Sequence, residues 1–567
     1  MPLLALVVLA AQLRAATVGE GPHFDAAALS RDSVRDQGRA RGAQASFERS
    51  RRASLPIGAS SGGRCEVHLG RYCWWYDDSQ PTFPPESGAI TKRRHELLAE
   101  LDGLGLQYPG SDWIAAMRVH YRIDGREPAA ADTVARTCDA TRWLCAALVG
   151  YAAHARADEG TADSAYAAAL AQMPVDVACA WRNIAPLLSS DDRDVYEHRS
   201  CEDRIPLEER YWLLGRPALA TSYNEWENEF NTRRVLVWIG ERAATPHLLG
   251  WADDAAELVM RYGWPVAWSR TAASGQLGDQ GGIVGHDPSP SFAFAPDRWL
   301  VDSLRLMSSD AWDMVSHQAE ARYAPPLVRR VTTAAMQVAR FRRGDSTLVV
   351  AAYTATDDSL MAPAGVLGVA APDGRLAHSS ADSARVGRSR VLVKGPVYFV
   401  GVDISDTTRR TLARTRMVLV SATDTSRLRL SDLLIYRAGD APAENLDSAL
   451  ARAVPGDTVT RDRQLGLFWE TYGIAREGES IELALSVERV DHTWIRSARQ
   501  RLKLTPVDTP IRIRWTDARA ATDSGAGHAV ALDLGNLDAG RYRVTLTLTP
   551  LDGPAVSTTR EIALIDR

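Results

Sequence analysis

The chain has 567 residues, too many for a single hydrophobic core, and its length predicts roughly three or four domains. Apolar residues make up 45% of the chain and charged residues 24%, which is an ordinary globular composition. The formal net charge is −5, so no overall basic field favours nucleic acid, and we predict no nucleic-acid partner.

The N-terminal residues resemble a secretory signal. The apolar run of residues 3–11 is too short to cross a bilayer as a helix, and Ala15 and Ala16 offer a cleavage point. We therefore predict a signal peptide over residues 1–16. A buried N-terminal helix is the alternative, because only the α-amino group supplies charge before the run. No other segment reaches about 18 apolar residues, so we predict no transmembrane span in the mature chain. The protein would be periplasmic, associated with the outer membrane, or secreted.

Six cysteines lie in the first 201 residues, and the rest of the chain has none. An even number confined to one region predicts a disulfide framework in an oxidising compartment. Pairing between sequence neighbours is the simplest connectivity. Buried thiols and a zinc site are the alternatives, although a zinc site usually contains C-x-x-C pairs and none is present. The predicted pairs are Cys65–Cys73, Cys138–Cys145 and Cys179–Cys201.

Residues 17–63 are rich in Arg, Ala, Ser and Gly and have no sustained apolar period. This composition predicts a disordered linker. A basic arm that contacts anionic lipid or a partner is the alternative.

Residues 64–205 have a helical pattern, in which Ala-rich segments alternate with breaks marked by Gly or Pro. Gly150, Ala162, Tyr166, Ala169 and Pro174 match the spacing of a tetratricopeptide (TPR) repeat. A single repeat cannot bury its own apolar face, so neighbouring helices must stack on it, and stacked repeats form a concave surface that binds peptides. We predict a disulfide-bearing, TPR-like helical domain here.

Residues 206–270 continue the helical pattern with many aromatic side chains. Trp226, Phe230 and Val237 would share one helix face and predict a packed core. Residues 271–327 follow as a Gly/Pro-rich loop and a short helix. Long loops in compact proteins are either functional or disordered.

From residue 328 the apolar period changes to two, and turn residues separate short β-branched runs. We predict two β-sandwich-like modules, at 328–440 and 460–567, joined by a linker at 441–459. The predicted fold class is therefore multi-domain α + β. An N-terminal α-helical, TPR-like repeat region precedes C-terminal all-β, sandwich-like modules.

Three segments of the helical half carry a family resemblance. They are Asn224-Glu225 with Glu229-Phe230 and Arg233, then Gly250-Trp251-Ala252-Asp253-Asp254, and then Arg261-Tyr262-Gly263-Trp264-Pro265. Together with Trp469-Glu470-Thr471-Tyr472-Gly473 in the β half, they resemble GWxTD domain-containing proteins, a largely uncharacterised family of exported bacterial proteins. Asp253 stands where that family has Thr. The resemblance covers roughly 205–270 and 415–567 and implies no catalytic residue.

The motif residues can also be interpreted physically. Gly250 suits a left-handed or tightly packed helix end, Trp251 can anchor that end in the core, and Asp253 or Asp254 could cap the next helix. We interpret them first as structural and second as ligand-binding. The candidate site residues are Asn224, Glu225, Gly250, Trp251, Asp254, Tyr262, Gly263 and Pro265.

No P-loop and no G-x-G-x-x-G pattern is present in the sequence, and the 12 histidines are scattered. We predict no catalytic residue, no metal site and no cofactor. The predicted function is a protein-binding or assembly module of the cell envelope, with a protein or peptide partner. The alternative is an envelope hydrolase with a site in the 271–295 loop, where His286 and Asp287 lie near Ser289 and Ser291.

Overall fold

A computed structural model gives the fold. It describes residues 31–57, 67–74, 85–247, 249–270, 282–287, 291–296, 311–312, 320–326, 328–357, 360, 363–372, 374–381, 386–419, 428–461, 464–473, 481–491, 510–517, 525–550 and 554–566. The predicted signal peptide lies outside these residues, and so does Cys65 of the predicted Cys65–Cys73 pair. The described chain has an N-terminal helical region and a C-terminal region of strands, as the coarse fold class predicts.

Eleven of the described helices precede the large sheets. They are α1 (Arg31–Ser54), α2 (Gly88–Gln107), α3 (Asp112–Asp124), α4 (Pro128–Arg136), α5 (Arg142–Ala155), α6 (Glu159–Gln172), α7 (Val175–Arg182), α8 (Ser190–Glu197), α9 (Cys201–Leu214), α10 (Glu225–Gly240) and α11 (Asp253–Tyr262). Two small hairpins accompany them: β1 (Val67–Leu69) with β2 (Tyr72–Trp74), and β3 (Ala267–Arg270) with β4 (Ile283–His286). Among the described helices, none has both the length and the apolar run needed to cross a bilayer.

Helices α5 and α6 pack closely because small residues line their contact. A Cβ atom added at Gly150 would lie 2.7 Å from the Tyr166 ring, so the glycine makes room for that ring. Ala162 and Ala169 are also buried on the facing side of α6. The small-residue spacing in the sequence therefore corresponds to a real close approach of two helices.

Over residues 31–54, helix α1 stands in place of the disordered linker that was predicted for 17–63. Its inner face buries Ala40 and Phe47 but also several polar groups, so it has no continuous apolar stripe for hydrophobic periodicity to reveal. Gln44 Nε2 donates to the Tyr121 hydroxyl at 2.6 Å, and that hydroxyl donates to Glu48 Oε1 at 2.8 Å. Arg51 pairs with Asp124 of α3, with Nη2 2.8 Å from Oδ1.

Two of the predicted disulfides are present. Cys138–Cys145 spans the connection between α4 and α5, with the Cα atoms 5.6 Å apart. Cys179–Cys201 joins α7 to the first residue of α9, with the Cα atoms 5.9 Å apart.

The first large sheet has seven strands in the order β8-β7-β10-β11-β5-β6-β9. Neighbouring strands are antiparallel, except that β11 runs parallel to the beginning of β5. Apolar side chains from both ends of the sheet share one core. The strands are β5 (Arg330–Arg343), β6 (Ser346–Ala355), β7 (Ala364–Ala370), β8 (Leu376–Ala381), β9 (Val386–Lys394), β10 (Phe399–Asp406) and β11 (Thr411–Val418).

The remaining strands form two more sheets. In one, β15 pairs with β12, β13 and β18. In the other, the strand order is β14-β20-β19-β16-β17. Their bounds are β12 (Arg429–Leu430), β13 (Leu434–Arg437), β14 (Thr458–Thr460), β15 (Leu465–Tyr472), β16 (Ile481–Arg489), β17 (Ile511–Asp517), β18 (Ala526–Leu532), β19 (Gly540–Thr549) and β20 (Val556–Ile565).

The predicted module boundary at 440 and the predicted linker at 441–459 need correction. Strands β12 and β13 precede residue 440 but pair with β15, so they belong to the later sheet. The linker region contains helix α12 (Leu446–Ala451), which buries Leu446 and Ala449. Turn and proline signals locate strand ends in a sequence, but they do not identify the partner of each strand.

Candidate functional site

The polar residues of α10 point into the protein. Glu225, Glu229 and Arg233 follow one another at a spacing of four, so they lie on one face of the helix. Arg233 is 2% exposed, and its Nε lies 2.6 Å from Glu229 Oε1. Asn224, just before the helix, is buried and donates from Nδ2 to the Trp212 carbonyl at 3.0 Å.

Arg233 ties α10 to the end of α11. Its Nη1 donates to the carbonyls of Met260 and Arg261 at 3.0 and 2.9 Å, and its Nη2 donates to the Arg322 carbonyl at 2.9 Å. The last carbonyls of a helix lack partners within the helix and carry the negative end of its dipole, so a guanidinium stabilises them. Because the Arg233 guanidinium donates its hydrogen bonds to groups of the protein itself, we assign it a structural role.

Gly263 completes this contact. It follows α11 with a φ of +86°, a conformation that favours glycine. A Cβ atom there would lie 3.2 Å from Arg233 Nη2 and 3.3 Å from Glu229 Oε1. The structure therefore brings together two of the resemblance segments, the polar face of α10 and the turn after α11.

His154 of α5 lies between two carboxylates. Its Nδ1 is 2.9 Å from Glu159 Oε1, and its Nε2 is 2.9 Å from Glu229 Oε2. Burial lowers the pKa of His154, but the hydrogen bonds to both glutamates outweigh burial and raise that pKa to about 10. Burial raises the pKa of Glu229, whereas Arg233 and His154 lower it to about 2. His154 and Glu229 are therefore both charged at neutral pH, which makes them an ion pair rather than a poised acid and base. Sequence reasoning missed His154, which is 75 residues from Glu229.

Glu225 differs from Glu229, because it forms no ion pair with any residue that the structure describes. Burial, together with the charge of nearby Glu159, raises the pKa of Glu225 to about 7. Its position at the start of α10 lets it favour the helix only when it is ionised.

The residue before α11 is Ala252, whose side chain makes no capping hydrogen bond. Asp254 caps the first turn only in part, since its Oδ1 accepts from the backbone nitrogen of Ala255 at 2.9 Å. Asp254 also forms a two-point ion pair with Arg71 in the β1–β2 turn, with Nε to Oδ2 and Nη2 to Oδ1 both at 2.8 Å. Hydrogen bonds from Arg71 hold the pKa of Asp254 well below its usual range.

The remaining motif residues pack against neighbouring elements. Trp251 is half-buried and its ring occupies the space left by Gly240 of α10. Tyr262 stacks on Trp74 of β2, with ring centroids 4.5 Å apart. Pro265 packs against Gly285 of β4.

The expectation for Gly250 fails. Its φ is not positive, and a Cβ atom there would meet no atom within 4 Å. Its carbonyl accepts a hydrogen bond from Arg71 Nη2 at 2.9 Å, a role that any residue could perform.

The 271–295 loop is described at residues 282–287 and 291–295, so Ser289 lies outside the described residues. His286 ends β4, and its Nε2 lies 2.7 Å from the hydroxyl of Ser269 on β3. Ser269 is buried. Sequence reasoning named His286 but not Ser269, which no motif distinguishes. Ser291 contributes its backbone carbonyl to Arg322 rather than its hydroxyl to the histidine.

Two surface openings lie away from the motif. A groove of about 390 Å³ lies among α2, α3, α4 and α5. It is lined by Gly105, Leu106, Tyr108, Pro109, Ile114, Ala115, Arg118, Val119, Val134, Thr137, Cys138, Asp139 and Leu148. We call this the helical groove. A more polar cleft of about 630 Å³ lies in the β region, where hydroxyl and arginine side chains of β5, β12 and β20 face one another.

Within the described part of the chain, no group of three or more His, Cys, Asp or Glu side chains is placed to hold a metal ion.

Comparison with models of known protein families gives no match, and comparison with curated protein sequences gives none either. Among solved structures, the chain is similar to the native conformation of E. coli alpha-2-macroglobulin at 13% identity and a TM-score of 0.16. That alignment covers 44% of this chain and 18% of the other. It is also similar to red sea bream transglutaminase at 9% identity and a TM-score of 0.13, over 56% of this chain and 44% of the other. The chain thus spans less than half of either structure, and neither similarity bears on its function.

Proposed function

We propose that this protein is an exported cell-envelope component, related to the GWxTD domain-containing proteins, that binds a protein or peptide partner. In this proposal the helical region is TPR-like and offers the binding groove, and the β modules are sandwich-like docking or spacing domains. The observation that carries the proposal is the helical groove, at whose rim Leu106 is 85% exposed.

The groove suits the side chains of a peptide. Its volume falls within the usual range of roughly 300–1,000 Å³ for ligand sites. Buried Ile114 and Leu148 supply an apolar floor, and Arg118 lines one wall while paired with Asp102 at 2.8 Å. An exposed leucine next to such a floor gains stability when a partner covers it.

The disulfide Cys138–Cys145 supports both the site and the location. Cys138 lines the helical groove, so the bridge restrains one wall in its binding shape and reduces the entropy lost on binding. Disulfides persist in oxidising compartments, which supports export.

Site-specific photocrosslinking tests the binding site. A photoreactive residue replaces Leu106 in one full-length variant and Val175 in another, and both are expressed in the native host. Val175 is the matched control, because it is 84% exposed but lies outside the groove. We expect a discrete crosslinked product from position 106 that is lost when Arg118 and Ala115 are replaced by Glu. Equal products from both positions, or none from 106, would contradict the proposal.

The intact mass of the protein from the host's envelope, before and after reduction, tests export. We expect loss of the first 15–16 residues and a gain in mass on reduction and alkylation that matches oxidised cysteines. An uncleaved chain with free thiols would contradict export.

One observation favours a second function, the envelope hydrolase. The 2.7 Å contact between Ser269 and His286 resembles a nucleophile with its general base. A fluorophosphonate probe tests it, because such probes label activated serines covalently. A hydrolase should be labelled as the wild type and not as Ser269→Ala, whereas an unlabelled wild type would leave the contact as a structural hydrogen bond.

A further inference from the structure

Two arginines are buried where the helical region meets the first large sheet. Arg414 and Arg416 lie two residues apart on β11 and therefore point to the same side of the sheet. They are 4% and 1% exposed. Gly401 of β10 pairs with Arg416 in the sheet register, and a Cβ atom there would lie 2.6 Å from Arg416 Nη1. The glycine thus makes room for the guanidinium.

One carboxylate, that of Asp403, lies near both arginines and forms an ion pair with Arg416. Asp403 pairs with Arg414 in the register, but its Oδ1 lies 2.8 Å from Arg416 Nη2. Its Oδ2 accepts from the backbone nitrogen of Leu219 at 2.7 Å, in the loop between α9 and α10. The same loop contributes the Arg216 carbonyl, 3.3 Å from Arg414 Nη2 and 3.4 Å from Arg416 Nη2.

Four donor nitrogens remain. The Nε and Nη1 atoms of Arg414 and Arg416 are inaccessible to solvent and have no acceptor among the described residues. Phe294 and Phe399 lie under the two guanidinium groups, with ring centroids 5.4 and 5.8 Å from the Cζ atoms, and aromatic rings supply no conventional acceptor.

The local charge does not balance. Among the described residues, two guanidinium groups and one carboxylate leave a net charge of about +1, because arginine keeps its proton even when buried. Burial and the charge of Arg416 both lower the pKa of Arg414, which reflects the same lack of compensation. The nearby Arg216 guanidinium is itself cationic and so removes none of this excess; its charge interacts with Asp163 and Glu227 as well as with Arg416 and Asp403.

We propose that Arg414 and Arg416 bind a small monovalent inorganic anion of chloride size at this junction. The anion accepts the remaining N–H groups and neutralises the excess charge. Leu219 packs against Gly368 and Gly401 beside the guanidinium groups, which favours a small anion over a phosphate or a peptide carboxylate. Bound there, the anion holds the α9–α10 loop on the sheet and stabilises the junction of the two regions.

Halide-dependent unfolding of the full-length protein tests the site. Melting temperatures are compared in sodium chloride, sodium bromide and sodium gluconate at equal ionic strength, because gluconate is too large to enter. We expect a saturable rise in Tm of at least about 2 °C with either halide and none with gluconate. Arg414→Met should abolish the rise, whereas Arg390→Met, an exposed change on β9, should keep it.

Crystals of the wild type grown in bromide give a readout that does not depend on a variant's folding. An anomalous peak between the Arg414 and Arg416 guanidinium groups is the expected result. An anomalous peak only at the protein surface, a water molecule instead of bromide at this position, or a Tm that is the same in halide and gluconate would overturn the proposal.

Discussion

Arg71 and Asp254 form a two-point ion pair across 183 residues of sequence. Arg71 adds hydrogen bonds from its backbone nitrogen to Asp254 and from Nη2 to the Gly250 carbonyl. The pair therefore fastens the β1–β2 hairpin to the start of α11. The Asp254 side chain thus joins the hairpin to α11, besides accepting a hydrogen bond from the Ala255 backbone nitrogen in the first turn.

Breaking the pair should loosen the hairpin without unfolding the chain. Arg71→Ala should speed hydrogen exchange of the β1–β2 amides, because the Tyr262–Trp74 stack is then the main remaining anchor on α11. The double replacement Arg71→Asp with Asp254→Arg should recover part of the protection. If Arg71→Ala leaves exchange unchanged, the ion pair does not hold the hairpin.

Arg233→Met should destabilise the protein strongly. The change leaves Glu229 buried without its guanidinium and removes the donors from three carbonyls, a loss of about 3–5 kcal/mol. Chemical denaturation, followed by tryptophan fluorescence, measures it. Arg39→Met is the control, since that side chain is 77% exposed and should change stability by less than about 0.5 kcal/mol. Similar values for the two variants would contradict a structural role for Arg233.

Local spacing predicted part of this site. The i, i+4 relation of Glu229 and Arg233 places them on one helix face, and in the structure they lie beside Gly263. The partner His154 could not be found this way, because nothing in the sequence links residues 75 positions apart. Spacing therefore identified the helix face but not what lies opposite it.

Helix α1 shows a second reason why sequence patterns fall short. The segment looks like a solvated linker because, besides Ala40 and Phe47, its inward residues are Gln44, Glu48 and Arg51. Only the complementary groups on α3, Tyr121 and Asp124, make their burial favourable. Hydrophobic periodicity detects apolar faces and misses helices that dock through polar networks.

The two described disulfides should differ in their effect on stability. Replacing Cys179 and Cys201 together by Ser should cost more than replacing Cys138 and Cys145, because the sequence separations are 22 and 7. Chain-entropy values are about 3 and about 2 kcal/mol respectively. Urea denaturation of both double variants measures the difference. A larger cost for the shorter loop would show that the helical groove wall, rather than loop closure, dominates.

Gly263→Ala should cost more than Gly344→Ala. Both glycines have positive φ angles, +86° and +62°, so both substitutions strain the backbone by about 1 kcal/mol or more. At Gly263 the new methyl group would also press on Arg233 and Glu229. A methyl group at Gly344 would have no atom within 4 Å. Thermal denaturation gives the comparison. Equal losses would mean that the turn after α11 does not depend on its contact with α10.

Glu48 makes the attachment of α1 sensitive to pH. Burial raises its pKa to about 7 from 4.5, against the opposing charge of Arg51. A raised carboxyl pKa means that the folded state favours the proton, so this contribution to stability is complete below pH 4.5 and is lost as the pH rises through 7. Glu48→Gln keeps a neutral side chain at every pH. It should therefore stabilise the protein at pH 8, by up to about 3 kcal/mol, and change little at pH 4.5.

Hydrogen exchange of the α1 amides and urea denaturation at the two pH values test this prediction. Glu96→Gln, on the exposed side of α2, controls for the loss of a carboxylate. The pH dependence that Asp124 contributes to stability has the opposite sign. Burial raises the pKa of Asp124, but Arg51 and Arg94 overcome that effect and lower it to about 2. Its contribution is complete above pH 3.8 and is lost as the pH falls through 2. Helix α1 should therefore be most firmly attached in mildly acidic solution. If the stability that Glu48→Gln gains over the wild type does not increase from pH 4.5 to pH 8, Glu48 is not the group responsible.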